Sequence, residues 1–462
     1  MITDASPIGH LTIDMLSDDV LLYVFDLYRQ ESKTVDCLWP WHVLVHVCQR
    51  WRHVIFAWPH HLDLQLDCRS GTDVAKALDI WPANVLINIH SDLYLENGDD
   101  IVVALGLRDR IASISLYFRT RLQLERCTEV MQEPFPVLRT LLLYCVENDS
   151  DPPVVIGASL GGSAPRLQSI SLFGVPFPTL PKLLLSTKDL VELRLHEITN
   201  AGYISPDALA TSLSMLKRLE YIVVRFQTRS FPERTNRPPP PLTRAVLPAL
   251  NRFVFEGVCM YSEDLIARID APLLRSFSLE LSHEPSFDIP QVPQFLSRVE
   301  NFKQPFTADI QLGDPHIYAS LLSPGFNFSL RLDCGWLFTL PLVVEQIFTQ
   351  FLPHTSHVHH LKLYRCSDYP SSPGLEDSAL WLGALRLLTA VQVLDVTGDV
   401  LGIGVAHILS DVEVSRAAEA LPMLHTIVFD ELEEIEPTVT PLLRPFLDAR
   451  KLSDRPVAIV DA

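Results

Sequence analysis

From about residue 84 onward one pattern recurs: an apolar residue, two variable ones, an apolar residue, one variable, an apolar residue. Clear members are Ile111/Ile114/Leu116, Leu138/Leu141/Leu143, Leu167/Ile170/Leu172, Leu190/Leu193/Leu195, Leu219/Ile222/Val224, Leu250/Phe253/Phe255 and Leu274/Phe277/Leu279. The series resumes at Val358/Leu361/Leu363, Val391/Leu394/Val396 and Leu424/Ile427/Phe429, with weaker members at Ile87/Ile89, Val299/Phe302, Leu330/Leu332 and Val457/Val460. Their first positions are 84, 111, 138, 167, 190, 219, 250, 274, 299, 327, 358, 391, 424 and 457, so every step lies between 23 and 33 residues. The end of each triplet alternates with period two, as a strand does when one of its faces is buried. The intervals suit crossover helices between parallel strands rather than tight hairpins. Helical spacing is visible over residues 206–219, where Ser205-Pro206 suits a cap and first turn, and over residues 342–351, 379–388 and 412–421. Strand, turn and helix repeated at this length give an α/β solenoid in which each repeat covers only its neighbours.

The pattern resembles leucine-rich repeats, whose period is about 20–29 residues and whose signature ends in an Asn or Cys step. The fullest match runs from Val358 through Leu361 and Leu363 to Cys366; elsewhere the Asn step is mostly missing, so the repeats are irregular. If the triplets point inward, the variable positions line the opposite, concave face. Arg139, Tyr144, Glu220, Asn251, Glu256, Arg275, His359 and His360 fall there. A target-binding surface is expected from Glu192, Arg194, His196, Tyr221, Arg225, Arg252, Glu280, Lys362 and Tyr364, because Arg and Tyr are favoured where interfaces concentrate their energy.

Ahead of the ladder, residues 16–52 are patterned differently. Ser17 with Asp18 and Asp19 suits a helix start, and Val20, Leu21, Val24, Phe25 and Tyr28 follow at helical spacing. Leu44, Val47, Cys48, Trp51 and Ile55 form a second apolar stripe. Two such helices cannot close a core alone. The pattern leaves two readings open: a cap on the following domain, or a site for a partner.

The residues resemble an F-box. The family's opening matches Leu16-Ser17-Asp18-Asp19-Val20-Leu21-Leu22, with Ser17 where proline is usual. Its hydrophobic pair matches Val24-Phe25, and its closing motif matches Val47-Cys48-Gln49-Arg50-Trp51-Arg52. The resemblance is to F-box proteins of the type common in mushroom-forming fungi. It implies docking to a Skp-type adaptor, and through it to a cullin ubiquitin-ligase scaffold, with Leu16, Leu21, Phe25, Val47, Cys48 and Trp51 as adaptor-binding residues. The expected organisation is a helical module over residues 10–60 and the solenoid over 61–462, joined by a strand near His61–Leu66. The expected role is a substrate-recognition subunit that binds a protein target.

Composition narrows the alternatives. The 56 acids against 37 Lys plus Arg leave a formal charge of −19, which disfavours nucleic acid and anionic membrane as partners. The densest acidic run, Asp430–Glu436, reads as a solvated turn, and Arg237–Pro241 as an exposed loop. Eight scattered cysteines lack metal-ligand spacing and read as thiols of a reducing compartment. No secretory leader or apolar run of membrane-spanning length is evident, so a cytoplasmic or nuclear location is expected, with Asn148 and Asn327 in fortuitous glycosylation sequons. Gly157-Ala158-Ser159-Leu160-Gly161 matches a hydrolase nucleophile elbow, yet Gly161-Gly162-Ser163-Ala164-Pro165 follows where a supporting helix is required. His354, His357, His359 and His360 read as a surface cluster, and Gly398, Gly402 and Gly404 lack the lysine of a phosphate loop. The chain is therefore expected not to be an enzyme and to need no cofactor or metal.

Overall fold

The computed structural model describes residues 13–32, 44–57, 63–68, 74–80, 85–91, 99–146, 159–227, 243–282, 288–302, 305–313, 316–333, 340–365, 378–411, 419–430 and 432–461. The chain is α/β and forms two compact units: Met1–Glu147 with Ala158–Ala164, and Asn148–Gly157 with Pro165–Ala462. The modules expected at 10–60 and 61–462 divide the chain elsewhere.

In the first unit, helices Asp18–Ser32 and Gln49–Ala57 precede four parallel strands: β1 (Asp63–Asp67), β2 (Leu86–His90), β3 (Ile111–Phe118) and β4 (Thr140–Cys145). Helices Val74–Ile80, Asp99–Leu105 and Arg121–Val130 lie between successive strands. The triplet residues fall in register: Ile89 opposite Ile114, Ile114 opposite Leu141, Leu116 opposite Leu143. All five are buried, while the residues between them on each strand are only half-buried. Thr120 starts the helix Arg121–Val130 with a capping box: its hydroxyl accepts from the Gln123 amide and the Gln123 side chain accepts from the Thr120 amide.

The segment after Ser159 is a 3-10 turn, Ser159–Gly162, not an elbow leading into a helix. Leu160 (φ 58°) and Gly161 (φ 56°) are left-handed, Leu160 is fully buried, and its amide donates to the Met131 carbonyl at 2.5 Å. A Cβ on Gly161 would lie 2.6 Å from the Pro134 ring.

In the second unit the strands are β5 (Ser169–Phe173), β6 (Glu192–Ile198), β7 (Tyr221–Phe226), β8 (Ala245–Val246), β9 (Arg252–Gly257), β10 (Ile269–Asp270), β11 (Ser276–Ser282), β12 (Thr307–Leu312), β13 (His316–Ser323), β14 (Phe326–Asp333), β15 (His360–Arg365), β16 (Val393–Thr397), β17 (Thr426–Phe429) and β18 (Ala458–Asp461). Strands β8 and β10 form a small separate pair. The others run in the order β5-β6-β7-β9-β11-β14-β13-β12-β15-β16-β17-β18. Leu193, Ile222, Phe253, Phe277 and Phe328 occupy one lateral row, each opposite the next. At its aromatic end Phe253 stacks on Phe277 with ring centroids 5.2 Å apart, and Phe277 meets Phe328 in a tilted pair at 5.5 Å. Crossover helices include Leu180–Leu184, Pro206–Leu213, Cys259–Ile266 and Ser378–Arg386. The expected cap is present: Ser205 accepts from the Ala208 amide at 3.2 Å, with Pro206 in the first turn.

Three expectations need correction. The strands are not all parallel: β12–β13 and β13–β14 pair antiparallel, so a three-strand meander replaces the expected repeats at 299 and 327. Its turn at Pro324-Gly325, where Gly325 has φ 86°, reverses the chain. The helix expected at 412–421 lies mostly outside the described residues, and its end, 419–421, is not helical; the helix of that repeat is Asp399–Ser410, although it contains Gly402 and Gly404. The acidic run does not end in a turn either. It leads into the helix Leu432–Leu452, where acids suit the positive N-terminus and which continues through Pro437, Pro441 and Pro445. The residues at 237–241 and Asn148 lie outside the described residues.

Gly161→Ala is expected to cost about 1–2 kcal/mol from the left-handed backbone alone, with the Pro134 contact adding to it. Thermal unfolding followed by circular dichroism should show the lower midpoint.

Candidate interaction surfaces

The first surface is built by the two N-terminal helices. The Val20 amide donates to the Ser17 hydroxyl at 3.4 Å, so serine starts the first helix as expected. Phe25 packs on Trp51 with centroids 4.8 Å apart. The Arg50 guanidinium donates to the Leu16 carbonyl at 2.5 Å and to Asp18 Oδ1 at 2.9 Å, tying the second helix to the start of the first. Cys48 Sγ accepts from the Trp51 amide at 3.4 Å, and Arg52 Nε donates to the Val45 carbonyl at 3.0 Å. Of the closing motif, Arg50 and Trp51 thus join the two helices, while Cys48 and Arg52 bond within their own segment.

The six residues expected to dock an adaptor are accordingly divided. Leu21 and Phe25 are buried, Leu16 and Trp51 half-buried, Val47 and Cys48 exposed. Sequence reasoning missed much of the outward face. Tyr23 (66% exposed) and Leu27 (44%) lie on it with Val20, Val24 and Tyr28. Their signal was the apolar content of the whole helix, which exceeds what one inward stripe needs. Exposed apolar residues clustered on one short element mark an interaction site when they are contiguous.

The second surface is the outward sheet face of the Pro165–Ala462 unit. All nine residues expected to bind a target lie on it as half-buried or exposed positions, alternating with buried ones. Glu192, Arg194, Tyr221 and Arg252 are brought together. The Ser169 hydroxyl donates to Glu192 Oε2 at 3.0 Å, and Arg194 Nε donates to Glu192 Oε1 at 2.8 Å. The guanidinium carbons of Arg194 and Arg252 lie 4.9 and 5.4 Å from the Tyr221 ring centroid. His196 stacks on Phe173 at 5.7 Å; burial holds its pKa below the usual value, and Arg225 and Arg194 push it the same way.

Further along the strands, Arg225, Glu256, Glu280, Arg331 and Tyr318 make one lateral row. Arg225 meets Glu256 at 3.4 Å and Glu280 at 3.9 Å, Arg331 meets Glu280 at 3.3 Å, and Arg331 lies 5.2 Å from the Tyr318 centroid. Burial raises the Glu256 pKa, and its neighbour Glu280 raises it further. Arg331 and Tyr318 were missed because the meander carries them. Lys362 and Tyr364 do not join this group: β14, β13 and β12 separate their strand from β11. Lys362 instead stands in register between Asp309 and Asp395, 3.7 Å from the latter. Burial raises the Asp309 pKa, although Ser320 donates to it at 3.3 Å.

The histidine group is not a surface cluster. His354 is buried, its ring 4.9 Å from Phe302 and its Nε2 3.1 Å from the Pro293 carbonyl; burial lowers its pKa. His359 packs against Phe306, and His360 lies 3.5 Å from Asp395. Among the described residues no group of three or more His, Cys, Asp or Glu is placed to hold a metal ion, and no helix is long and apolar enough to cross a membrane.

No family model matches the chain. No curated protein matches it either. Among solved structures it is similar to the leucine-rich repeat-containing protein LegL7 from Legionella pneumophila, at 12% identity, with 83% of this chain and 97% of that chain covered and a TM-score of 0.29. The repeat reading therefore rests on strand register and burial.

An acid held above its ordinary pKa binds its proton more tightly in the folded state, so its ionised form destabilises the fold. Glu256→Gln is expected to melt higher than wild type at neutral pH. The gap should close as pH falls through the raised pKa and on below the ordinary carboxylate range, where Glu256 is neutral in both folded and unfolded chains. Melting curves against pH check this.

Proposed function

We propose that the chain is a substrate-recognition subunit of a Skp–cullin–F-box ubiquitin ligase. The observation that carries this is the helix pair: Phe25 on Trp51 and Arg50 on Leu16 close it inward, while an apolar face of the first helix around Tyr23 and Leu27 stays uncovered. A Skp-type adaptor would bury that face. The outward sheet face would hold a protein target, and tethering would give the target's lysines a high effective concentration near a ubiquitin-charged enzyme. No covalent step, cofactor or metal is assigned to this chain, and its setting would be cytoplasmic or nuclear.

A second reading makes the helices a cap on their own unit, favoured by the burial of Leu21, Phe25, Val54 and Ile55. The two readings separate experimentally. Tyr23→Glu with Leu27→Glu changes only exposed positions. It is expected to reduce co-purification with a Skp adaptor at least about tenfold, the cost of burying unpaired charge, while the circular dichroism spectrum is kept. Wild-type protein that captures no adaptor would support the cap reading, whereas a double variant that captures it undiminished would overturn the assignment of the Tyr23/Leu27 face as the docking surface. Phe25→Ala should instead lower stability by about 3 kcal/mol, the usual cost of emptying a buried aromatic site.

A further inference from the structure

Two helices of the second unit, Gln291–Ser297 and Leu340–Gln350, each pack on a neighbour on the far side, Cys259–Ile266 and Ser378–Arg386. Between them two side chains bridge a joint. Gln350 Oε1 accepts from the Ile289 amide at 2.9 Å, and His354 Nε2 lies 3.1 Å from the Pro293 carbonyl. A carbonyl only accepts, so Nε2 carries a proton and donates; the Ser297 hydroxyl is 3.4 Å away. His354 is only 8% exposed. Phe302 packs on its ring at 4.9 Å and on Phe326 of β14 at 5.0 Å, so the joint lies behind β14. The next residue, Thr355, opens on an apolar cavity whose walls include Ala308, Ala319, Phe348 and Phe351. Packing around the joint is therefore incomplete.

We propose that His354 is an acid-sensitive latch: its protonation opens the joint between the Gln291–Ser297 helix and the segment from Leu340 to Thr355. The inference is independent of the ligase reading. A second proton on the ring would place a full charge where nothing neutralises it. Pro293 and Ser297 face the ring from one helix and Phe302 from the connection after it, and none of them titrates. Arg298 is turned to Asp270, His357 in the same segment opposes a further positive charge, and among the described residues no carboxylate stands within 4.0 Å of His354. Burial accordingly holds the His354 pKa below the usual value. The neutral ring supports the closed joint fully above about pH 6.5, and that contribution is lost as pH falls from there through the lowered pKa. Opening would loosen the support of β14, which carries Arg331 of the outward row.

The test uses the full chain and amide hydrogen exchange read by mass spectrometry at about pH 7.5 and about pH 5.5, corrected for the intrinsic pH dependence of exchange. Residues 288–302 and 342–358 should lose protection in acid by up to about tenfold, the most that an imidazole of ordinary pKa allows over that interval. His354→Gln keeps a donor for the Pro293 carbonyl and does not titrate, so its loss should stay below about twofold. Glu256 and Asp309, both held above the ordinary carboxylate pKa, act in the opposite sense, so the comparison is between the two chains. Equal loss in both chains, or full protection of the wild-type joint in acid, overturns the proposal. Should the variant not fold, exchange at the imidazole C2–H of the wild-type chain reads His354 directly. Acid loss at the joint with His354 titrating below the ordinary imidazole value supports the latch; titration at or above that value overturns it.

Discussion

Alternate apolar side chains on each parallel strand are buried opposite their equivalents on the strands to either side. Leu193, Ile222, Phe253, Phe277 and Phe328 show this in the second unit, and Ile89, Ile114 and Leu141 in the first. A slip of one residue would send every one of these side chains to the opposite face. The register therefore dictates what the outward face presents. Arg225, Glu256, Glu280 and Arg331 meet because the buried residues beside them are aligned, not because the four lie near one another in the chain.

Where the triplets are strong, sequence and structure agree closely. Ile114/Leu116, Leu193/Leu195 and Leu361/Leu363 are buried, and the residues between them face outward. The misses have physical causes. In residues 307–333 three alternating runs follow one another, separated by Gly313 and by Pro324-Gly325, which is hairpin chemistry. Reading them as two more parallel repeats hid Tyr318 and Arg331. The helix Asp399–Ser410 was obscured by its glycines and the helix Leu432–Leu452 by its three prolines, all weak helix formers by local propensity. Tertiary packing outweighs that local cost: Leu401, Val405, Leu409, Leu443 and Phe446 are all buried.

The N-terminal helices carry the opposite lesson. Motif residues were legible as a group, but spacing alone did not reveal which would turn inward. Trp51 and Phe25 find each other, and Cys48 is drawn into the start of the second helix. The face of the first helix left to solvent is then set by elimination, and it falls to Tyr23 and Leu27 with Val20, Val24 and Tyr28. The most conspicuous side chains of such a stretch can thus serve the helix pair's own closure, as Phe25 and Trp51 do.

The meander also changes how the second unit can assemble. In a regular array each repeat docks on the one made just before it, so order spreads from neighbour to neighbour. Here β12 does not sit beside β11; β14 takes that place, and β12 is seated against β15 instead. Propagation from the N-terminal side must pause at β11 until β12, β13 and β14 have reversed twice and arrived together. The stack is divided at this point into two blocks, β5–β11 and β15–β18, joined by a segment that adds as one piece, and folding cooperativity within each block need not extend across the seam.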